Sequence, residues 1–153
     1  MKHNKYISVL EILIKSKKIK KNKKKIIFTN GCFDILHSGH IRLLIESKKR
    51  GDILVVGLNS DQSYFKIKKK KPKIKFSERV KILSEISSVN YIVKLNDTDP
   101  IKLIKKLQPH LHCKGGDYIK KDLIEYELLK KLRIKLFIMP IKEKKISSSD
   151  IIL

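Results

Sequence analysis

The chain is predicted to fold as a single-domain α/β protein, a doubly wound parallel sheet with a helix at its N-terminus. Three observations predict this. Short apolar runs rich in β-branched residues alternate with stretches of helical spacing along the chain, and a βαβα order calls for parallel strands covered by helices on both faces. Polar or glycine-containing turns follow the apolar runs at FTNGCFDILHSGH, NSD and KGGDY, the places where an open α/β sheet presents ligand groups. A length of 153 residues suits one full core and is too short for two domains of ordinary size.

Taken in order, Tyr6 to Lys18 carries Ile7, Leu10, Ile12, Leu13 and Ile14 at helical spacing, and a lysine-rich linker runs from Lys17 to Lys25. Residues 1–24 are therefore read as an N-terminal helix and basic linker, and residues 25–153 as the main domain. Lys25 to Phe28 is a buried strand. In the loop after it, Thr29, Asn30, Gly31 and Gly39 let the backbone turn and approach a ligand. The helix beyond, from about Gly39 to Lys49, offers unpaired N–H groups and partial positive charge to an anion. Gly51 is expected to close that helix in a left-handed cap.

Ile53 to Leu58 is a second buried strand, with Asn59, Ser60 and Asp61 at its polar end. Lys66 to Lys75 contains Pro72, shows no periodicity and is read as an exposed loop. Phe76 to Ser87 returns to helical spacing with Ser77 as its cap, and Val89 to Leu95 is a third strand. Asp99 and Pro100 mark a helix start for Ile101 to Leu107. His110 to Cys113 is a short strand that ends in the turn Lys114 to Tyr118. A helix from about Asp122 to Leu132, a strand from Ile134 to Met139, and the hydroxyl run Ser147, Ser148 and Ser149 at a terminal helical turn complete the chain.

The balance of 37 basic to 15 acidic residues gives a formal net charge of +22, which raises nucleic acid, anionic membranes and phosphorylated substrates as partners. The charge is dispersed. Arginine occurs only at Arg42, Arg50, Arg79 and Arg133, the other basic residues are lysine, and alanine is absent. That pattern reads as compositional drift, since a phosphate-binding face favours arginine's fork geometry. No aromatic-studded RNA motif, zinc finger or helix-turn-helix accompanies the charge, so a specific nucleic-acid module is not expected. No apolar run is long enough to span a bilayer and no secretory signal is apparent, so a cytoplasmic protein is expected. Cys32 and Cys113 lack a CxxC neighbour, which suggests neither a disulfide framework nor a zinc site.

His37-Ser38-Gly39-His40 carries the most information. Two histidines three apart around a glycine, at a strand-to-helix junction, can aim N–H groups into one anion site.

With the strings TNGCFDILHSGH, GDILVVGLNSD and KGGDY, and Ile146-Ser147-Ser148-Ser149 near the end, the chain resembles the nucleotidyltransferase superfamily with the HIGH-type motif. Within that superfamily it is similar to the bacterial ADP-heptose synthases. The resemblance covers about Ile26 to Ile152. It implies a Rossmann-like nucleotidyltransferase fold and transfer of AMP from ATP to D-glycero-β-D-manno-heptose 1-phosphate. The products would be pyrophosphate and ADP-heptose for the lipopolysaccharide inner core. It implies Mg²⁺ bound mainly through ATP phosphates, with no dedicated protein metal site, and a homo-oligomer. A sugar kinase domain often precedes this activity, and its absence here gives the expectation of a stand-alone form.

Residue by residue, the resemblance implies that His37 and His40 contact the nucleotide phosphates and stabilise the transition state. Thr29, Asn30, Gly31, Cys32, Phe33 and Gly39 fall in its nucleotide-binding loop. Lys114, Gly115, Gly116 and Asp117 fall in the turn beside base and ribose, and Ser147, Ser148 and Ser149 would hold the β- and γ-phosphates. Asp34 is a candidate substrate contact or a loop cap. Related sequences carry a Lys-Gly element and then Arg-Pro after NSD, where this chain has a lysine run ending in Lys71-Pro72. Lys66, Lys68 and Lys69 are therefore the candidates for the phosphate-binding lysine, with Lys68 taken as catalytic and the others as substrate contacts. Serine replaces the usual threonines in the late motif, and the chain stops at Leu153, early in the terminal helix. The rival reading is a cytidylyltransferase acting on glycerol 3-phosphate or a related alcohol phosphate; Asn30, Cys32 and the KGGDY turn favour the adenylyltransferase.

Overall fold

Residues 4–116 and 118–140 are described by a computed structural model. Asp117, the hydroxyl run Ser147 to Ser149 and the terminal helical turn lie outside the described residues. The first helix, α1 (Val9–Lys21), starts at a capping box: Ser8 Oγ accepts from the Glu11 N–H at 3.1 Å, and Glu11 Oε2 accepts from the Ser8 N–H at 2.8 Å. It runs further than expected, into the lysine-rich linker, because lysines in a last turn interact favourably with the helix dipole.

The strands β1 (Ile26–Gly31), β2 (Ile53–Asn59), β3 (Tyr91–Leu95), β4 (Leu111–Lys114) and β5 (Lys135–Ile138) form one sheet in the order β3-β2-β1-β4-β5. All four pairings are parallel. The chain steps outward from β1 to β3 and then crosses back to β4, so the order reverses between β1 and β4. Alternation along β1 fills two cores. Ile26 and Phe28 face α1, α5 (Ile101–Leu107) and α6 (Tyr126–Lys131) through Ile12, Ile104, Leu107 and Leu129. Ile27 faces the other layer, where α2 (Ser38–Lys48) supplies Leu43 and Leu44 and α4 (Phe76–Ser84) supplies Leu83. Each fully buried side chain of this kind contributes about 1.5–3 kcal/mol. The sheet edge at β3 is covered by the segment before α1, where the Ile7 N–H donates to the Ile92 carbonyl at 3.0 Å and the Ile92 N–H to the Lys5 carbonyl at 2.8 Å.

Several expectations are corrected. The lysine run does not begin as a loop: α3 (Asp61–Lys68) occupies its first part, with Ser60 Oγ accepting from the Ser63 N–H at 3.1 Å, and Ser63 and Tyr64 buried beneath it. Only 69–75 is left as a connection. Gly51 takes no left-handed conformation; it is small because a Cβ there would lie 2.6 Å from Ile27 Cδ1. Ser77 is not the cap of α4. The Phe76 N–H instead donates to Asp61 Oδ1 at 2.9 Å. His110 stands before β4, its Nδ1 accepting from the Ile26 N–H at 3.0 Å, and a 3-10 turn at Lys120–Asp122 precedes the shortened α6. Asp99 does accept from the Ile101 N–H at 2.9 Å, as a helix start requires. No helix among the described residues is long and apolar enough to cross a membrane.

Candidate active site

Because every strand runs the same way, Asn30 and Gly31, Asn59 and Lys114 arrive at one edge of the sheet. The crevice for a ligand in such a sheet lies at the carboxyl ends where the strand order reverses, here between Asn30 and Lys114. These two side chains are bonded to each other, Lys114 Nζ donating to Asn30 Oδ1 at 3.0 Å. One residue back, the Thr29 hydroxyl donates to the Cys113 carbonyl at 2.9 Å and is buried, so Thr29 ties β1 to β4 with its side chain.

Beyond β1 the chain reverses at Phe33, whose φ of 44° lies in the left-handed region; a bulky residue is seldom held there without support. That support comes from a buried arginine. Arg79, 1% exposed, donates from Nη1 to the carbonyls of Cys32 at 2.6 Å and Asn59 at 2.8 Å. Its Nε donates to the Ile74 carbonyl at 2.9 Å and its Nη2 to Asp61 Oδ1 at 2.7 Å. Asp34 makes a second clasp, accepting from the Tyr64 hydroxyl at 3.0 Å, the Lys73 N–H at 3.0 Å and the Ile74 N–H at 2.9 Å. Burial and then the Asp34 hydrogen bond push the Tyr64 hydroxyl up to about 12, so it remains a donor. Between them, the two clasps fix residues 73–74 against the first loop.

The histidines stand where that loop enters α2. His37 is the N-cap of α2 and His40 lies in its first turn, which brings them to one side of the helix start. Their ring centroids are 3.8 Å apart with planes inclined by 27°. The buried Phe33 ring supports the pair from beneath, 5.1 Å from His40. Gly31 and Gly39 leave room for these rings: a Cβ at 31 would lie 3.1 Å from Phe33 Cε2, and one at 39 would lie 3.0 Å from His37 Cε1 and Nδ1. Burial, then the neighbouring His37, depress the His40 imidazole to about 4, against a smaller opposing effect of the Ile35 backbone. At neutral pH His40 is thus an uncharged ring with a single N–H.

Burial raises the Cys32 thiol, while Lys68 and Arg79 oppose it through their charge. A thiol held protonated is a poor nucleophile, so Cys32 is not built for covalent catalysis. The same interaction brings the Lys68 charge to the first loop. Lys66, two residues earlier on α3, points to a different side of that helix, and Lys69 sits in its left-handed C-cap at φ 57°. Gly116 follows Lys114 and Gly115 on the exit from β4. Among the described residues, no group of three or more His, Cys, Asp and Glu gathers that would hold a metal ion.

Four residues around the site were not anticipated from the sequence: Tyr64, Arg79, His112 and Glu125. Arg79 alone left a signal, as one of four arginines in a chain that otherwise uses lysine.

The family model for cytidylyltransferase-like proteins matches residues 28–153. The chain is 47% identical over 117 residues, 76% of its length, to the "Bifunctional protein HldE" of Helicobacter pylori strain J99. It is 43% identical over 116 residues, 75% of its length, to the protein of that name from Aliarcobacter butzleri. It spans about a quarter of the length of these relatives, 25% and 24%. Among solved structures, a lipopolysaccharide core biosynthesis protein from Thermoplasma volcanium is similar with a TM-score of 0.67 at 30% identity, over 78% of this chain and 99% of that one. The pantoate-beta-alanine ligase of Francisella tularensis shares the fold, with a TM-score of 0.66 at 18% identity, over 91% of this chain and 67% of that one. With this match, the parallel sheet and the paired histidines at its switch point, the chain belongs to the cytidylyltransferase-like family and has the Rossmann-like nucleotidyltransferase fold.

Proposed function

We propose that the chain is a sugar-phosphate adenylyltransferase that transfers AMP from ATP to D-glycero-β-D-manno-heptose 1-phosphate, releasing pyrophosphate and forming ADP-heptose for the lipopolysaccharide inner core. The observation that carries this reading is the stacked His37–His40 pair at the start of the helix that follows β1, at the carboxyl edge where the strand order reverses. The relatives named above, one of them a lipopolysaccharide core biosynthesis protein, support the acceptor class.

The chemistry asks for alignment and charge neutralisation. A phosphate monoester has a second pKa of about 6 and is mostly a dianion near neutral pH, so it attacks the α-phosphorus without a general base. One acceptor P–O to α-phosphorus bond forms, the bond from α-phosphorus to the bridging oxygen breaks, and pyrophosphate leaves with that electron pair. His37 and His40 donate N–H groups to phosphate oxygens as negative charge shifts toward the leaving group. Lys68, whose charge is felt at Cys32, adds positive charge to the first loop. Gly31, Cys32 and Gly39 allow the backbone approach, and Ser147 to Ser149 are the candidates for the β- and γ-phosphates. Asp117 and Gly116 are the candidates for reading base and ribose. Asp34, whose carboxylate already accepts three hydrogen bonds, serves the acceptor indirectly by holding the loop that carries the lysines, Lys69 included. Lys66 is left as an outer contact.

Mg²⁺ fits this site as a partner of the nucleotide, held by phosphate oxygens and water; when bound it neutralises phosphate charge. A homo-oligomer and a cytoplasmic location belong to the same proposal. Pyrophosphate release tests it, with Mg²⁺, ATP or CTP, and heptose 1-phosphate or glycerol 3-phosphate. Release only with ATP and the heptose is the expected result. Faster release with CTP and glycerol 3-phosphate would move the chain to the cytidylyltransferase reading.

A further inference from the structure

We propose that Glu125, backed by His112, is a positioning residue of the nucleotide site: it holds the Lys114 ammonium against the Asn30 carboxamide and thereby sets which face of that amide a nucleotide meets. The assignment rests on a row of four polar side chains running from the floor of the crevice into the protein. Lys114 Nζ lies 3.0 Å from Asn30 Oδ1 and 3.2 Å from Glu125 Oε1. It also stands 5.2 Å from the centre of the Tyr118 ring. His112 Nε2 lies 2.9 Å from the same Glu125 oxygen. Glu125 and His112 are buried, at 1% and 0% exposure, and Lys114 nearly so at 8%.

A buried ammonium is tolerated only with a counter-charge and engaged N–H groups. Glu125 supplies the first. Burial works against its ionisation, but the His112 hydrogen bond and the Lys114 charge outweigh that and hold the carboxyl at about 2. Burial likewise disfavours the charged form of His112, so the ring is a neutral donor to the carboxylate, stacked on Phe28 at 5.3 Å. Two consequences follow for the crevice. Lys114 Nζ donates to Asn30, is ion-paired with Glu125 and stands over the Tyr118 ring, and its charge is balanced locally by Glu125, so Lys114 gives the site geometry and little net attraction for phosphate. Asn30, with Oδ1 accepting from Lys114, presents its NH₂ as a donor, which suits an acceptor atom on a nucleotide. If Glu125 were neutral the ammonium would have reason to leave, and the amide would be free to flip.

The effect on ATP rests on the proposed function; the state of the lysine does not, so the test reads both. In ¹H–¹⁵N spectra of the full chain, assigned by difference with Lys114→Met, the Lys114 ammonium is expected as a slowly exchanging resonance that Glu125→Gln abolishes. In steady-state kinetics Glu125→Gln is expected to raise the KM for MgATP about tenfold, the effect of one charge-assisted hydrogen bond, with kcat changed much less. Lys114→Met with Glu125→Gln is expected to be no worse than Lys114→Met alone. Persistence of the resonance in Glu125→Gln, or kinetic effects that multiply, overturns the proposal. If the wild-type chain turns over no nucleotide, the adenylyltransferase reading fails and the ammonium resonance alone decides the Lys114–Glu125 contact. Thermal melts of each variant separate misfolding from repositioning, because Glu125→Gln keeps the shape of the side chain.

Discussion

The imidazole rings of His37 and His40 are stacked on one another, centroids 3.8 Å apart, and the shared stack rests on Phe33. Two cationic rings would repel at this distance; under the proposed function the pair donates N–H groups to a common anion. Replacing either ring by alanine is expected to lower kcat/KM about 10²–10³-fold, the usual cost of losing one preorganised transition-state donor. Pyrophosphate release checks the rate and circular dichroism checks the fold. Near-normal rates in both variants would remove the assigned roles.

The depressed His40 also predicts how stability depends on pH. In the unfolded chain His40 takes up a proton near pH 6.5, whereas the fold resists it until about pH 4. Above pH 6.5 neither state is protonated and nothing is lost. Between pH 6.5 and 4 the unfolded chain alone gains the proton, so stability falls as pH falls. Glu125 acts in the same direction lower down. Its carboxyl is held at about 2 against 4.5 in the unfolded reference, so its contribution is present above 4.5 and disappears as pH falls through 2. The unfolding free energy from urea titrations is expected to drop between pH 7.5 and 4.5 by on the order of 1–3 kcal/mol. His40→Asn should flatten this slope; an unchanged slope would contradict the buried neutral ring.

Arg79 joins the first loop, the end of β2, residue 74 and Asp61 through one guanidinium. Its removal would take a donor from three carbonyls and the counter-charge from Asp61, which would keep the Phe76 N–H. Arg79→Met is expected to cost about 3–5 kcal/mol, and Arg79→Lys to recover little of it, because a point ammonium cannot reproduce the fork. Chemical denaturation measures both. A lysine variant as stable as the wild type would show that charge, rather than geometry, matters at this position.

The Asp34 clasp makes a prediction about proteolysis. The Lys73 and Ile74 N–H groups both end on this carboxylate, and the connection they belong to is rich in trypsin sites. Asp34→Ala is expected to cost about 1–3 kcal/mol through the donors it strands, and to speed tryptic cleavage within 69–75 several-fold at native conditions. Mass spectrometry of the first fragments checks the location. Cleavage that begins elsewhere, with 69–75 still protected, would show that the loop is held by other means.

Much of this was legible before any fold was built. Apolar runs of four to seven residues separated by helical spacing are enough to dictate a parallel α/β sheet, because parallel strands buried on both faces need continuous apolar stretches and crossover helices. The chemistry of the first loop was also local: His37, Gly39 and His40 lie within four consecutive residues, and a strand-to-helix junction puts them on one side whatever the rest of the chain does. Periodicity failed where a helix is held by its ends. The α3 segment carries few apolar residues and its end, from Lys66, reads as part of a lysine run, yet Ser60 caps it and buried Tyr64 anchors it.

Folding alone decided the long-range pairings. Asp34 meets residues 73 and 74, Arg79 meets Cys32, and Lys114 meets Asn30 across sequence separations of 39, 40, 47 and 84. No local pattern announces such contacts, since each partner alone looks like an ordinary cap, a surface cation or a turn residue. The parallel sheet brings their backbones to one edge. There the cost of burying an unpaired charge or carbonyl leaves few arrangements open, and the ones adopted turn scattered polar residues into the walls of a site.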